Sequence, residues 1–147
     1  MPYVKTKSCR RPLRINSMRN NFVVVKINKQ KQKGLFADKD FKKGEVIFSL
    51  EGEILKEPTK YTIQLSREKH IDDALGQYLN HSCDPNTYIS AGEKAVRALR
   101  DISKGEELSF DYNLNEYEIA TPFKCRCSSP KCRGEIRGSK YTLPPPC

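Results

Sequence analysis

The chain lacks two features that would place it in a membrane or on a secretory route. None of its apolar runs approaches the roughly 18 residues that span a bilayer, and its N-terminus has no short apolar block of the kind found in secretory signals. We therefore expect no membrane contact and a soluble, intracellular protein, cytoplasmic or nuclear. The 147 residues, 37% of them hydrophobic, can close one modest core, so a single folded domain is predicted.

Acidic residues are missing from the first quarter of the chain. Residues 1–37 hold ten Lys or Arg and no acid, whereas residues 38–147 hold 17 basic and 18 acidic residues. The formal charge of +9 therefore belongs to the N-terminal region and not to the folded body. Residues 1–20 are predicted to form a flexible basic arm. It either keeps the protein soluble or contacts nucleic acid, the ribosome or an acidic partner, and an organelle transit peptide is a third interpretation.

The sequence contains only one weak helical pattern, over residues 71–79. Elsewhere, short apolar and β-branched segments alternate with turns, which is typical of a β-rich fold. The segments predicted as strands are residues 22–27, 45–50, 54–55, 61–65, 87–90, 95–99 and 108–110, with a hairpin turn at Gly92. The predicted fold class is therefore mainly β, and residues 139–147 are predicted to form a C-terminal tail.

Six cysteines are present without the secretory signal that would favour a disulfide framework. Three of them are crowded into the spacing Cys125-x-Cys127-x4-Cys132. Thiols this close pair poorly with one another but suit a tetrahedral zinc ion, provided that a fourth ligand comes from elsewhere. The spacing therefore predicts a zinc site.

Two further motifs precede this cluster. Residues 80–86 (NHSCDPN) combine polar donors, a thiol and a proline-fixed turn, which is unusual for a core strand. Residues 105–113 (GEELSFDYN) place a tyrosine at the end of an apolar strand. In this order the three segments resemble the SET-domain lysine methyltransferases, and residues 34–37 (GLFA) extend the similarity, which covers about residues 22–138.

The resemblance implies a SET domain over residues 21–115 and a post-SET zinc-binding segment over residues 116–138. In the family, the segment matching Asn80 and His81 threads beneath the loop of the catalytic tyrosine and forms a C-terminal pseudoknot. The implied activity is methyl transfer from S-adenosylmethionine to a protein lysine. The implied zinc ligands are Cys83, Cys125, Cys127 and Cys132.

The resemblance also implies roles for individual residues. Tyr112 matches the active-site tyrosine and Tyr61 a second tyrosine near the methyl donor, whereas Phe110 and Tyr78 match walls of the lysine channel. Phenylalanine at position 110 suggests room for more than one methyl group. Gln32 and Gln77 depart from the family pattern, which often has glycine and arginine there, and both departures bear on cofactor affinity. The residues expected to bind the cofactor are Gln32, Lys33, Gly34, Leu35, Tyr61, Asn80, His81 and Tyr112.

Other interpretations remain open for the same residues. Residues 80–86 also suit a structural polar turn, and either tyrosine also suits a core position with a satisfied hydroxyl. The alternative functions are a SET fold without turnover that binds a peptide or nucleic acid, and a purely structural zinc protein. If the chain is an enzyme, we expect it to be a small, free-standing member of the family that acts as a monomer or homodimer. Its expected substrate is a basic protein such as a histone or ribosomal protein. The acids expected to attract that substrate are Glu51, Glu53, Glu57, Asp72 and Asp73.

Overall fold

The computed structural model describes residues 22–127 and 129–142. The predicted basic arm, residues 1–20, and the last five residues of the predicted tail, residues 143–147, lie outside the described residues. No helix in the described part of the chain is long and apolar enough to cross a membrane.

Short strands account for most of the regular structure, so the predicted mainly β fold class is confirmed. The strands are β1 (Val23–Ile27), β2 (Lys33–Ala37), β3 (Val46–Ser49), β4 (Gly52–Leu55), β5 (Ile63–Ser66), β6 (Lys69–Asp73), β7 (Asn80–His81), β8 (Thr87–Ser90), β9 (Ala95–Ala98), β10 (Ser109–Phe110), β11 (Phe123–Lys124) and β12 (Glu135–Ile136). The helical segments are a 3₁₀ turn (Gly76–Tyr78), α1 (Tyr112–Asn115) and α2 (Ser139–Thr142).

Most strand pairs are antiparallel and local. β1 pairs with β2, β9 lies between β3 and β8, and β6 lies between β4 and β5. The exception is a parallel pair, in which Ser109 and Phe110 of β10 lie opposite Asn80 and His81 of β7. This pair joins the two motifs that are about thirty residues apart in the sequence, and it therefore positions the candidate site.

One hydrophobic core lies beneath these small sheets. Leu35, Val96 and Leu108 are fully buried at its centre, and they come from β2, β9 and the residue before β10. Burying a side chain of this size stabilises a fold by about 1.5–3 kcal/mol. Because Leu35 of β2 and Leu108 beside β10 pack in the same core, β2 and β10 are held next to each other, and Leu108 N donates to Leu35 O at 2.7 Å.

The sequence placed several elements correctly and two incorrectly. The hairpin of β8 and β9 is confirmed. The predicted helical turns over residues 71–79 are wrong in their first half, because residues 69–73 form β6 between two other strands and only Gly76–Tyr78 is helical. The strand predicted over residues 61–65 begins two residues later, so Tyr61 lies in the turn before β5.

Candidate functional site

A cavity of about 610 Å³ opens where β7, β10 and α1 meet the residues that follow α1. We call these residues, 119–127 and 129–142, the C-terminal segment. The cavity wall includes Asn80 and His81 from the first motif, Phe110 and Tyr112 from the second, and Cys125 from the cysteine cluster. The parallel pairing of β7 with β10 brings the two motifs side by side. Three segments that are separate in the sequence thus enclose one space.

Tyr112 begins α1 directly after β10, and its hydroxyl donates to the main-chain oxygen of Leu79 at 2.6 Å. Its ring packs against those of Phe110 at 4.7 Å, His81 at 5.3 Å and Phe123 at 5.9 Å between centroids. Burial raises the pKa of Tyr112 well above its ordinary value, and the negative charge of Glu116 adds to the effect. Tyr112 is therefore a neutral phenol at physiological pH, held in one orientation.

His81 supports the backbone of Tyr112. Its Nδ1 accepts a hydrogen bond from Tyr112 N at 3.0 Å, which leaves the proton on Nε2, 3.2 Å from the sulfur of Cys83. Burial lowers the pKa of His81 to about 4, and the positive charge of Arg133 acts in the same direction while Asp111 opposes it. The neutral ring with a free Nδ1 lone pair is the form that this hydrogen bond requires.

Asn80 belongs to a polar cluster at the other side of the cavity. Its Nδ2 donates to Glu107 Oε2 and to Lys33 O, each at 3.0 Å, and Asn28 Nδ2 donates to the same carboxylate oxygen at 3.0 Å. A Cβ atom at Gly34 would overlap Glu107 Oε2, so glycine lets the carboxylate approach β2 closely. Asn28 and Glu107 both line the cavity, and neither was identified from the sequence.

Of the remaining residues expected to bind the cofactor, Gln32 lines the cavity, whereas Lys33 and Leu35 do not. The backbone N–H of Gln32 is bonded to Asn28 Oδ1 at 3.0 Å. The left-handed residue of this turn is Lys31, with φ of 64°, so Gln32 keeps a conformation open to any side chain. The side chain of Leu35 is wholly in the core, and Lys33 Nζ lies 6.0 Å from the Tyr78 ring, outside the cavity wall.

The proposed channel residues are only partly brought together. Phe110 and Tyr61 line the cavity with Tyr112. Phe110 is 3% exposed, whereas Tyr61 is 52% exposed and has Lys60 Nζ 5.8 Å from its ring. Tyr78 is partly buried against the hydrophobic core and is not part of the cavity wall.

Glu116 is a second carboxylate of the cavity wall that the sequence did not reveal. It caps the C-terminus of α1, and its Oε2 accepts from Gln64 N at 2.8 Å and from Asn115 Nδ2 at 2.7 Å. Burial raises the pKa of Glu116, although the two hydrogen bonds oppose this effect. No motif marks this position, so its only sequence signal is an acid close after Tyr112.

The expected acidic groove is not found as predicted. Asp73 is fully buried, and its carboxylate accepts from the backbone N–H groups of Glu51, Leu75 and Gly76 at 2.6 to 2.7 Å. It therefore stabilises the turn after β6 and presents no charge to a substrate. Asp72 lies opposite Glu53 across β6 and β4, outside the wall of the 610 Å³ cavity.

The cysteine cluster fits a zinc ion. The sulfur atoms of Cys83, Cys125, Cys127 and Cys132 all lie within 4.8 Å of one another, and those of Cys83 and Cys125 are 3.9 Å apart. Zn–S bonds of about 2.3 Å in a tetrahedron put the sulfurs about 3.8 Å apart, so the observed spacing needs little adjustment. Burial raises the pKa of the Cys83 thiol, and a bound zinc ion would reverse this by removing the proton.

The C-terminal segment is also attached to α1 by polar contacts. Arg133 donates to Asp111, the N-cap residue of α1, at 3.0 Å, and the Asp111 side chain is 4% exposed. Asn113, which is fully buried in α1, accepts from the backbone N–H groups of Arg137 and Gly138 at 3.2 and 2.9 Å. Folding of the segment and placement of Tyr112 are therefore connected.

Known proteins are similar to this chain in sequence and in fold. An H3 lysine-36 specific histone-lysine N-methyltransferase of Coccidioides immitis (strain RS) is 34% identical over 151 residues, which cover 84% of this chain and 15% of that protein. The methyltransferase domain of the human histone-lysine N-methyltransferase SETMAR has a similar fold, with a TM-score of 0.61, 23% identity, and coverage of 78% of this chain and 57% of that one.

A second solved structure, KRYPTONITE in complex with mCHH DNA, H3(1-15) peptide and SAH, has a TM-score of 0.61 at 19% identity, with coverage of 78% of this chain and 29% of that one. The chain spans about 15% of the length of the Coccidioides relative. A family model described as "SET domain" matches residues 32–113, which is more than half of the chain, and the chain therefore belongs to the SET-domain family.

Proposed function

We propose that this chain is an S-adenosylmethionine-dependent protein-lysine N-methyltransferase that acts on a basic protein, with a histone tail as the first candidate. The observation that carries the proposal is the single cavity that gathers Asn80, His81 and Tyr112, the residues matching the cofactor and catalytic positions of the family. The histone specificity printed for the similar Coccidioides protein supports the substrate class, and it favours a nuclear place of action.

The cavity suits the cofactor in size and chemistry. Its volume of about 610 Å³ lies within the roughly 300–1,000 Å³ of ordinary small-molecule sites. The Glu107 carboxylate and the Asn80 amide oxygen offer acceptors for the ammonium group of an amino acid, and the ring of Phe123 offers an apolar surface. When bound, S-adenosylmethionine would supply a methyl group attached to a cationic sulfur. After transfer of the methyl group, the sulfur remains as a neutral thioether.

The residues of the chain then contribute orientation and charge stabilisation. Tyr112 is neutral and donates its proton to Leu79 O, so its hydroxyl oxygen has lone pairs available for a donor in the cavity. Because it is not a phenolate, Tyr112 is assigned a positioning and electrostatic role and not that of a general base. Tyr61 and Phe110 are assigned to the channel of the target lysine.

The lysine must enter as a neutral amine. A cationic methyl donor beside it lowers the pKa of the ammonium group, and burial between aromatic rings acts in the same direction. Holding the nitrogen in line with the methyl–sulfur bond supplies the remaining rate enhancement through proximity. Tyr78 is proposed only as a support for this channel, since its ring packs against the core.

Zinc is proposed to be structural, with the four clustered cysteines as a closed ligand set. Such a site would attach residues 125–132 to Cys83 and so hold Phe123 over the cavity. The basic arm is proposed to add nucleic-acid contact, and both a monomer and a homodimer fit the proposal.

The proposal is tested by incubating zinc-loaded protein with radiolabelled S-adenosylmethionine and purified histones or ribosomal proteins. The wild-type chain should label a lysine, and Tyr112→Phe should reduce the rate about 10²- to 10³-fold, the usual cost of removing one preorganised hydrogen-bonding group from a transition state. This variant should still unfold cooperatively in a thermal scan and still bind the cofactor in calorimetry, although loss of the bond to Leu79 O lowers its Tm. The matched control is Tyr88→Phe, which removes a hydroxyl from a 40% exposed ring outside the cavity wall.

Two results would contradict the proposal. If the chain binds a basic peptide or nucleic acid but neither binds S-adenosylmethionine nor transfers label, the binding-module alternative replaces it. If Tyr112→Phe and Tyr88→Phe retain the same rate, the assignment of Tyr112 fails.

A further inference from the structure

Among the described residues that line the 610 Å³ cavity, two have carboxylates, and these differ in their partners. Glu107 is bonded to the amides of Asn28 and Asn80 at the side of β2. Glu116 lies at the end of α1, on the same helical turn as Tyr112. The proposed cofactor residues are grouped around Glu107, so Glu116 has no role in the function proposed so far.

Glu116 is firmly placed. Its backbone N–H donates to Tyr112 O at 2.8 Å, and its Oε2 accepts from Gln64 N in β5 and from Asn115 Nδ2. The residue is only 5% exposed although it lines the cavity. Both hydrogen bonds use Oε2, and no donor from the described residues contacts Oε1. One oxygen of a largely buried carboxylate is thus available to a ligand.

The other charges of the cavity wall do not neutralise this oxygen. Lys60, Lys124 and Arg126 line the same cavity but are exposed, and none of them pairs with Glu116. A buried carboxylate without a cationic partner is costly, and a positively charged ligand group would relieve that cost.

The target lysine itself is a poor partner for this carboxylate. An adjacent negative charge favours the ammonium form and raises the pKa of lysine, whereas methyl transfer requires the neutral amine. We propose that Glu116 recognises a second positive side chain of the substrate, a lysine or arginine that neighbours the target lysine. The proposal rests on the function proposed above and specifies its substrate class: a segment with two nearby basic residues.

The test compares wild-type chain with Glu116→Gln, which keeps an oxygen for Gln64 N and Asn115 and replaces Oε1 by an uncharged amide. With zinc-loaded protein and a histone-tail peptide, the KM for peptide should rise about tenfold or more, and kcat should change less than about threefold, since charged hydrogen bonds are among the strong ones. The matched control is Glu118→Gln, which removes a charge two residues away, where Glu118 is exposed and pairs with Lys140.

A peptide series identifies the partner residue. Each Lys or Arg of the peptide other than the target is replaced in turn by an uncharged analogue of similar length. For the wild-type chain, one of these replacements should raise the KM for peptide about tenfold. For Glu116→Gln, the same replacement should leave the KM as it is for the unchanged peptide. If Glu116→Gln raises KM equally for every peptide, or lowers only kcat, the proposal is overturned and Glu116 acts on the geometry of α1.

Peptide binding separates failure of this proposal from failure of the proposed function. Fluorescence anisotropy with the same peptides and S-adenosylhomocysteine needs no turnover. The first case is that no label is transferred, but Glu116→Gln binds the peptides more weakly than the wild-type chain only when the partner Lys or Arg is present. This result would refute the methyltransferase and support recognition by Glu116. Equal affinities of wild-type chain and Glu116→Gln for every peptide would refute recognition, whether or not label is transferred.

Discussion

Replacement of Asn113 by alanine should destabilise the fold far more than the same replacement of its exposed neighbour in α1, Leu114. Asn113 is fully buried, and its Oδ1 accepts from two backbone N–H groups, those of Arg137 and Gly138. These bonds attach the C-terminal segment beneath Tyr112. In Asn113→Ala both N–H groups lose their acceptor, and the one of Gly138, a buried residue, remains away from water, whereas that of Arg137 is partly buried.

The magnitude follows from these contacts. Leaving a buried N–H without a partner costs about 1–3 kcal/mol, so the buried Gly138 N–H at about 3 kcal/mol and the partly buried Arg137 N–H at about 1 kcal/mol together cost about 4 kcal/mol. The Nδ2 atom of Asn113 is itself buried without a hydrogen-bond partner, and its removal offsets about 1 kcal/mol. The expected loss in the free energy of unfolding is about 3 kcal/mol, or about 10 °C in Tm for a chain of this length.

The assay is urea and thermal unfolding of zinc-loaded protein, followed by circular dichroism. The control is Leu114→Ala, which shortens the neighbouring side chain, 64% exposed on the same helix, and should cost less than about 0.5 kcal/mol. A loss below about 1 kcal/mol in Asn113→Ala would refute the reasoning, because the C-terminal segment would then be held without this acceptor.

Three further outcomes are expected. Gly34→Ala should weaken S-adenosylmethionine binding about tenfold in calorimetry, because a Cβ atom would displace the Glu107 carboxylate; unchanged affinity would contradict that role. Removal of zinc with a chelator should lower Tm by well over 10 °C and abolish cofactor binding, and re-addition of zinc should restore both; a chelator without effect would exclude a structural metal. Arg133→Met should cost about 1–2 kcal/mol in urea unfolding, a value reduced by the 37% exposure of the arginine, and Arg133→Lys should recover part of it; equal losses would assign the effect to packing.

The sequence predicted those features that depend on local patterns or on fixed motifs. Apolar segments between turns predicted the hairpin of β8 and β9, and the cysteine spacing predicted a cluster near Cys125. The family resemblance added Cys83, 42 residues before Cys125, because spacing alone cannot show which distant residue completes a metal site. The resemblance likewise placed Asn80 and Tyr112 near each other, and their segments do lie together through the parallel pair of β7 and β10.

Errors occurred where tertiary contacts decide the local structure. Residues 69–73 contain two aspartates and a histidine, which made a strand unconvincing, yet His70 and Asp73 are buried because the strand is central in its sheet. Asp73 looked like a surface charge, but three backbone N–H groups surround it. A sequence shows a residue's charge and not the hydrogen-bond donors that other segments bring to it.

The same limit explains why Glu107 and Glu116 were missed. Each is an ordinary acid in the sequence, and each becomes a candidate functional group only because amide donors fix one oxygen inside a cavity. The roles suggested for Tyr61, Tyr78 and the residues near Gln32 remain predictions that depend on the family resemblance.

The contacts of the C-terminal segment also determine how metal and cofactor binding should influence each other. The segment meets the rest of the chain at the cysteine cluster, at the Arg133–Asp111 pair and at Asn113, and the last two contacts lie on either side of Tyr112. It also supplies Phe123 to the cavity wall. A metal that orders this segment therefore completes the cavity before any cofactor arrives, which reduces the ordering cost that cofactor binding must overcome. By linkage, bound cofactor must then strengthen zinc binding by the same factor, so removal of half of the zinc at equilibrium should need more chelator in the presence of S-adenosylhomocysteine than in its absence.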